Sequence, residues 1–125
     1  MSSVCLITED VQRLAEFYEK VLQVKTEIND IHVNVPWAEG GFVIYSKNAA
    51  ENQMAFDFTE YNGTGKTIIS FFVDNADDEY ERLKSLDMNI EFITAPTTYP
   101  WGSRSMHFRD LDGNIIGFIS QKEKA

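Results

Sequence analysis

Thr67-Ile68-Ile69-Ser70-Phe71-Phe72-Val73 runs straight into Asp74-Asn75-Ala76-Asp77-Asp78-Glu79-Tyr80-Glu81-Arg82-Leu83, and this join decides the fold. The first segment is mostly β-branched and aromatic, the composition of a strand. Asn75 is a good helix N-cap, and Asp77, Asp78 and Glu79 suit the positive end of a helix dipole. Ala76, Tyr80, Leu83 and Leu86 then share one helical face, so the spacing predicts a helix over 76–86. The same join occurs 65 residues earlier. There a short strand over 3–8 precedes a helix over 10–22, with Thr8 or Asp10 as cap and Val11, Leu14, Ala15, Phe17, Tyr18, Val21 and Leu22 on its apolar face. Under that shift Asp10 meets Asn75, Val11 meets Ala76, Ala15 meets Tyr80, Tyr18 meets Leu83 and Val21 meets Leu86.

Outward from the two joins, β-like runs occupy 24–28, 31–35 and 41–46 in the first half, broken by Pro36-Trp37 and Gly40-Gly41. In the second half they occupy 90–94, 103–109 and 114–120, the last two joined by the tight turn Asp110-Leu111-Asp112-Gly113-Asn114. Each half therefore reads β-α-β-β-β. Neither half is long enough to bury a sheet face and a helix face alone, so two copies imply a pseudo-twofold arrangement in an α+β chain. The segment 47–65 fits no element clearly. Within it 54–58 reads as a strand or a ligand-facing loop, and Asn62-Gly63-Thr64-Gly65 is turn chemistry.

Composition narrows the function classes. The chain has 125 residues, one domain's worth, and its 43% hydrophobic and 25% charged content is that of an ordinary globular protein. A single cysteine, Cys5, excludes an intrachain disulfide framework. No apolar run approaches the roughly 18–20 residues of a membrane span, and the first residues lack a signal peptide's pattern, so the cytoplasm is the expected compartment. The net charge of −9 argues against nucleic acid and anionic membranes as partners and favours a cationic ligand, if charge selects one at all.

A family resemblance rests on these motifs. Asp10-Val11, Leu14, Phe17-Tyr18 and Val21-Leu22 are similar to the first helix of the vicinal oxygen chelate superfamily, which holds glyoxalases, bleomycin-resistance proteins, fosfomycin-resistance enzymes and extradiol dioxygenases. Phe72-Val73-Asp74-Asn75-Ala76-Asp77 with Tyr80-Glu81-Arg82-Leu83 resembles its strand-to-helix join. Trp101-Gly102-Ser103-Arg104, then Phe108-Arg109-Asp110-Leu111-Asp112-Gly113-Asn114-Ile115-Ile116, resembles its closing hairpin. The likeness spans almost the whole chain and weakens over 47–66. Leu111 stands where that family usually has a turn proline, and Gln23 and Asp87 where a glycine usually ends each helix. The resemblance implies modules of about 1–60 and 66–125, a cupped mixed sheet with helices on its outer face, and a homodimer.

It also implies where a metal would be held. The ligand positions fall at Ser3, Ile68 and Gly117, with Tyr45 or Ser46 at the remaining one. Ser3, Ile68 and Gly117 are not ordinary divalent-metal ligands, so no metal and no cofactor is expected. His32 and His107 fall on different predicted strands without ligand spacing, and Asp110 with Asp112 reads as turn chemistry. Gly63-Thr64-Gly65-Lys66-Thr67 looks like the tail of a phosphate loop, but Glu60 replaces the earlier glycine and a strand follows instead of a helix.

The aromatic residues point to a ligand. Trp37 and Trp101 sit beside Pro or Gly in apparent loops or strand starts, with Tyr45, Phe56, Tyr61 and Tyr99 as companions. Such rings can stack on a flat molecule or cover sheet ends and a dimer seam. Strand alternation puts Ser103, Ser105 and His107 on one face and Arg104, Met106 and Phe108 on the other, leaving His107 in the cup and Arg104 at its rim. Arg104 binds either a ligand oxygen or one of the many acidic groups. Cys5 shares a strand face with Ser3 and Ile7, and reads as a small buried cysteine that can touch ligand. The resemblance thus implies metal-free capture of a small aromatic or cationic molecule, as in the bleomycin-resistance branch of antibiotic-resistance proteins. Its expected contacts are Cys5, Trp37, Tyr45, Phe56, Ser70, Trp101, Arg104 and His107. A metal-dependent lyase, isomerase or dioxygenase, and a non-catalytic sensor module, are the alternatives.

Overall fold

A computed structural model of the chain describes residues 4–38, 40–53 and 68–121. It divides into two compact units, Met1–Gly63 and Thr64–Ala125. The fold is α+β, with a three-stranded and a four-stranded mixed sheet.

The first unit runs β1 (Cys5–Thr8), α1 (Val11–Leu22), β2 (His32–Trp37), β3 (Gly40–Ser46) and α2 (Lys47–Gln53). Its sheet has the order β1-β3-β2, with β1 parallel and β2 antiparallel to β3. Asp10 caps α1, its Oδ1 accepting from the Arg13 backbone N–H at 3.1 Å. The apolar stripe from Val11 to Leu22 is buried as its spacing predicts. It meets the sheet face that carries Val33, Val35, Phe42 and Ile44, all of them buried. Truncating Leu14 there would cost about 2–5 kcal/mol, the range for a large-to-small change in a packed core. Gly41 in the β2–β3 hairpin has φ +144°, and a Cβ on it would stand 2.2 Å from the Val35 carbonyl oxygen, so only glycine fits.

Two features of this unit depart from the sequence reading. The run 24–28 forms no strand. Glu19, near the end of α1, accepts from the Thr26 backbone N–H at 2.8 Å and from its hydroxyl at 2.9 Å. That donor is thereby withheld from a ladder. The 65-residue counterpart of Glu19 is Lys84, which turns to Glu81 and the Tyr80 ring instead, and there the corresponding strand forms. The second departure is α2, which the periodicity missed. Ser46 Oγ accepts from the Ala49 N–H at 3.1 Å, and Ala49 and Ala50 are buried. The run 54–58, read as strand or loop, lies outside the described residues.

The second unit runs β4 (Ile68–Phe72), α3 (Ala76–Ser85), β5 (Glu91–Thr98), β6 (Ser103–Arg109) and β7 (Ile115–Gln121), the predicted β-α-β-β-β. Its sheet order β4-β7-β6-β5 repeats that of the first unit and adds the outer strand. Asn75 caps α3 as Asp10 caps α1, accepting from the Asp78 N–H at 3.0 Å. The Ala76 N–H donates to Ser120 Oγ at 3.1 Å, pinning the helix start to β7. Phe71, Leu83, Met106, Phe108, Ile116 and Phe118 form the buried layer between helix and sheet. The turn after β6 is held by Asp110, whose Oδ1 accepts from the Asp112 and Asn114 N–H groups, both at 2.9 Å. Its Oδ2 accepts from Asn114 Nδ2 at 2.8 Å, so this carboxylate serves the turn, as its spacing predicts.

Candidate functional site

In the second unit, the sheet face turned away from α3 carries the alternate residues of each strand. Strand register sets Ser70 opposite Gly117, Gly117 opposite His107, and His107 opposite Thr94. One polar row therefore crosses all four strands, interrupted only by a residue with no side chain. Gly117 is buried, and a Cβ on it would meet Ser70 Oγ at 3.2 Å, His107 Cδ2 at 3.1 Å and His107 Nε2 at 3.3 Å. A serine hydroxyl and an imidazole nitrogen thus flank the same small space above the central strand.

The imidazole is oriented. Thr94 Oγ1 lies 2.8 Å from His107 Nδ1, and in either tautomer the contact is a hydrogen bond that leaves Nε2 with the opposite role. Burial lowers the His107 pKa from its ordinary 6.5, which favours the neutral ring near pH 7. Thr94 reaches this place through a bulge. Phe92 pairs with Phe108, so regular pairing would set Ile93 opposite His107; the register shift puts Thr94 there and leaves Ile93 exposed. Sequence reasoning missed Thr94 for that reason.

The next row along the same face is apolar on one side. Phe72 pairs with Ile119, and both lie two residues, about 7 Å, beyond Ser70 and Gly117. Phe72 is 78% exposed. It borders an open depression of about 460 Å³ that also touches Trp101, Ser103, Ile119 and Gln121. Trp101 is 76% exposed, and its ring stacks on Tyr99 at 5.0 Å with planes 2° apart. Phe72 was legible only as a strand residue, although its alternation with Ser70 marks the shared face.

The other expected contacts lie elsewhere. Arg104 sits on the α3 side of β6, where its Nε and Nη2 bind the two Asp77 carboxylate oxygens at 2.6 and 2.8 Å and Nη1 donates to Thr98 Oγ1 at 2.9 Å. The acidic partner of its sequence reading is thus Asp77. Donation from Arg104 holds the Asp77 carboxyl below its ordinary pKa. In the first unit, Cys5 and Tyr45 share the sheet face turned from α1, while Trp37 lies half-buried on the α1 side with Val33 and Val35. Those three are therefore not on one surface. Cys5 is an exposed residue where a buried one was expected, although its surroundings desolvate the sulfur enough to raise the thiol pKa. The Tyr45 hydroxyl donates to Gln53 Oε1 at 3.2 Å, and the ring packs edge-on to His32 at 5.9 Å. Phe56 and Ser3 lie outside the described residues.

Among the described residues no three His, Cys, Asp or Glu side chains converge as a metal site would require. Ile68 and Gly117, where a metal-holding relative would place ligands, carry no side-chain donor atom. The residues described at these positions therefore do not fit a divalent ion. No described helix is long and apolar enough to cross a membrane.

Comparison with known proteins gives the chain its relatives. A search of curated proteins finds no match. Among solved structures, a glyoxalase/bleomycin resistance protein/dioxygenase family enzyme from Burkholderia phytofirmans PsJN is similar with a TM-score of 0.81 at 18% identity, covering 96% of this chain and 97% of the other. A glyoxalase/bleomycin resistance protein/dioxygenase from Nocardioides gives 0.78 at 20% identity, covering 99% and 84%. A lactoylglutathione lyase from Agrobacterium tumefaciens gives 0.72 at 17% identity, covering 96% and 92%. Likeness at such identities carries the fold alone. The model of the glyoxalase-like domain matches residues 1–122, and the chain belongs to that family.

Proposed function

We propose that the protein captures a small organic molecule with an aromatic part, without a metal ion, on the face of the second sheet turned from α3. The observation that carries this reading is the two-part strip described above. Polar groups of Ser70 and His107 flank the space over Gly117, and an apolar floor of Phe72 and Ile119 lies one row away beside Trp101. A pocket with an apolar wall and a few oriented polar groups suits retention of a small ligand. Ile68 and Gly117 add no metal-binding side chain to that space, and among the described residues His107 has no two further ligating side chains beside it, which supports capture over Lewis-acid chemistry. Sequestration of a toxic compound, as in the bleomycin-resistance branch, is the biological form this reading takes, and a homodimer belongs to it by the same resemblance.

Binding of the neutral fluorescent probe N-phenyl-1-naphthylamine tests it. Saturable binding that weakens by about tenfold in Trp101→Ala and Phe72→Ala is expected. Probe binding indifferent to both substitutions, or a divalent ion retained stoichiometrically through dialysis, overturns the proposal. The second result would return the metal-dependent lyase, isomerase or dioxygenase to first place.

A further inference from the structure

From the same strip, and resting on the capture reading, we infer that the ligand is uncharged and carries a hydroxyl group seated over Gly117 between Ser70 and His107. Three observations carry this.

The first is the absence of a usable charge on this face among the described residues. Its charged side chains are Glu91 and Arg109, which face each other at 3.2 Å. Arg109 also donates to the Gly113 carbonyl at 2.8 Å. Arg104, one residue along from Ser105, points to the opposite face and is held by Asp77. A cation seated at the polar row would lose hydration with no carboxylate among the described residues of this face to receive it except Glu91, which Arg109 already pairs. An anion would meet no free guanidinium. Either ion pays a desolvation penalty that a neutral ligand avoids. The net charge of −9 attracts cations to the molecule as a whole but places no carboxylate at this row.

The second is the character of the two flanking groups. A serine hydroxyl donates and accepts, and His107 Nε2 does one or the other according to which way the Thr94 contact runs. A ligand hydroxyl also does both, so it satisfies the pair in either tautomer. A bare carbonyl or ether oxygen matches only the donor form, and an ammonium only the acceptor form.

The third is the space itself. Gly117 puts no side chain between Ser70 and His107, whose atoms stand 3.1 to 3.3 Å from the point a Cβ would take, so a hydroxyl would seat above that point, within reach of both. About 7 Å further along the strands lie Phe72 and Ile119, a distance that a fused aromatic ring with a short hydroxymethyl arm spans.

Four naphthalene probes separate the possibilities when each competes with N-phenyl-1-naphthylamine at neutral pH and about 0.15 M salt, where long-range charge effects are screened. They are 2-naphthalenemethanol, 2-methylnaphthalene, 2-naphthylmethylammonium and 2-naphthoate. The alcohol is expected to bind about tenfold more tightly than either ion and several-fold more tightly than the methyl compound. Gly117→Ala puts a methyl group between Ser70 and His107 and blocks the hydroxyl's approach, and His107→Phe removes the hydrogen-bond partner. Each should bring the ratio of alcohol affinity to methyl-compound affinity close to one, whatever it does to the two affinities themselves. Far-UV circular dichroism and a cooperative thermal melt show that both variants are folded. Equal binding of alcohol and methyl compound to the wild-type protein overturns the inference and leaves capture standing. So does preference for the ammonium compound. Failure of N-phenyl-1-naphthylamine itself to bind overturns the capture reading, and the inference falls with it.

Discussion

His107 is the titratable residue of the proposed strip. Its ring is fixed by Thr94 at 2.8 Å, and burial holds its pKa below 6.5. In the unfolded chain the same imidazole takes up a proton near its ordinary value. As pH falls below 6.5, the unfolded state therefore binds protons that the folded state resists, and folding stability declines until the folded pKa is passed. Above 6.5 both states are neutral and the contribution is flat. Asp77 acts in the opposite charge sense but in a lower window. Its folded pKa lies below 3.8, so its contribution is complete above that value and is lost only as pH falls beneath it. The two are therefore separable. In urea unfolding at pH about 7.5 and about 5.5, the wild-type midpoint should drop more than that of His107→Gln, which has no imidazole to protonate. Equal drops in the two proteins would show that His107 titrates alike in both states.

At the scale of elements, the sequence was legible wherever a rule acts locally. The caps Asp10 and Asn75, the two apolar stripes and the strands of the second half all follow from spacing and from the repeat. Unreadable features depend on partners distant in sequence or on register. Glu19 withholds the Thr26 N–H, Asp77 claims Arg104 from 27 positions away, and a bulge substitutes Thr94 for Ile93 opposite His107. Alternation along 103–108 sets His107 on the face opposite Met106 and Phe108, and it lies there, on the same face as Ser70. Trp37 ends β2 on the α1 side, a position that its proximity to Pro36 and Gly40 does not reveal. The departures at the helix ends proved informative too. Gln23 and Asp87, standing where glycines are usual, both adopt left-handed backbone, with φ of 58° and 56°. A side chain in that conformation is strained, and a carboxylate beside a helix C-terminus also opposes the dipole. Asp87→Gly relieves both effects and adds some unfolded-state entropy. The net expectation is a gain of about 0.5–1 kcal/mol, read as a rise of about 2–4 °C in Tm. An unchanged or lower Tm would mean that Asp87 makes a compensating contact in the folded chain.

The whole molecule combines a strongly acidic charge with a proposed ligand strip whose row over Gly117 carries no charge, and these two properties respond differently to salt. Twenty acidic against eleven basic side chains create self-repulsion that weakens the compact state. Several surface pairs offset this only locally: Arg82 with Glu79, Lys84 with Glu81, and Lys47 with Glu9 and Glu51. Exposed pairs of this kind contribute about 0–1 kcal/mol each and are themselves screened by salt. Screening the net repulsion should dominate, so Tm should rise as salt increases from about 0.05 to about 0.5 M. Capture on a strip without net charge has no such dependence. The dissociation constant of N-phenyl-1-naphthylamine should change by less than about twofold over the same range, because no ion pair forms when it binds. A ligand held by the acidic field would behave otherwise, its affinity falling as salt rises. Measuring both quantities on one salt series therefore separates the charge that governs folding from the surface that governs binding. A marked loss of probe affinity alongside the rise in Tm would mean that charged groups, and not the Ser70–Gly117–His107 row with its Phe72 and Ile119 floor, hold the ligand.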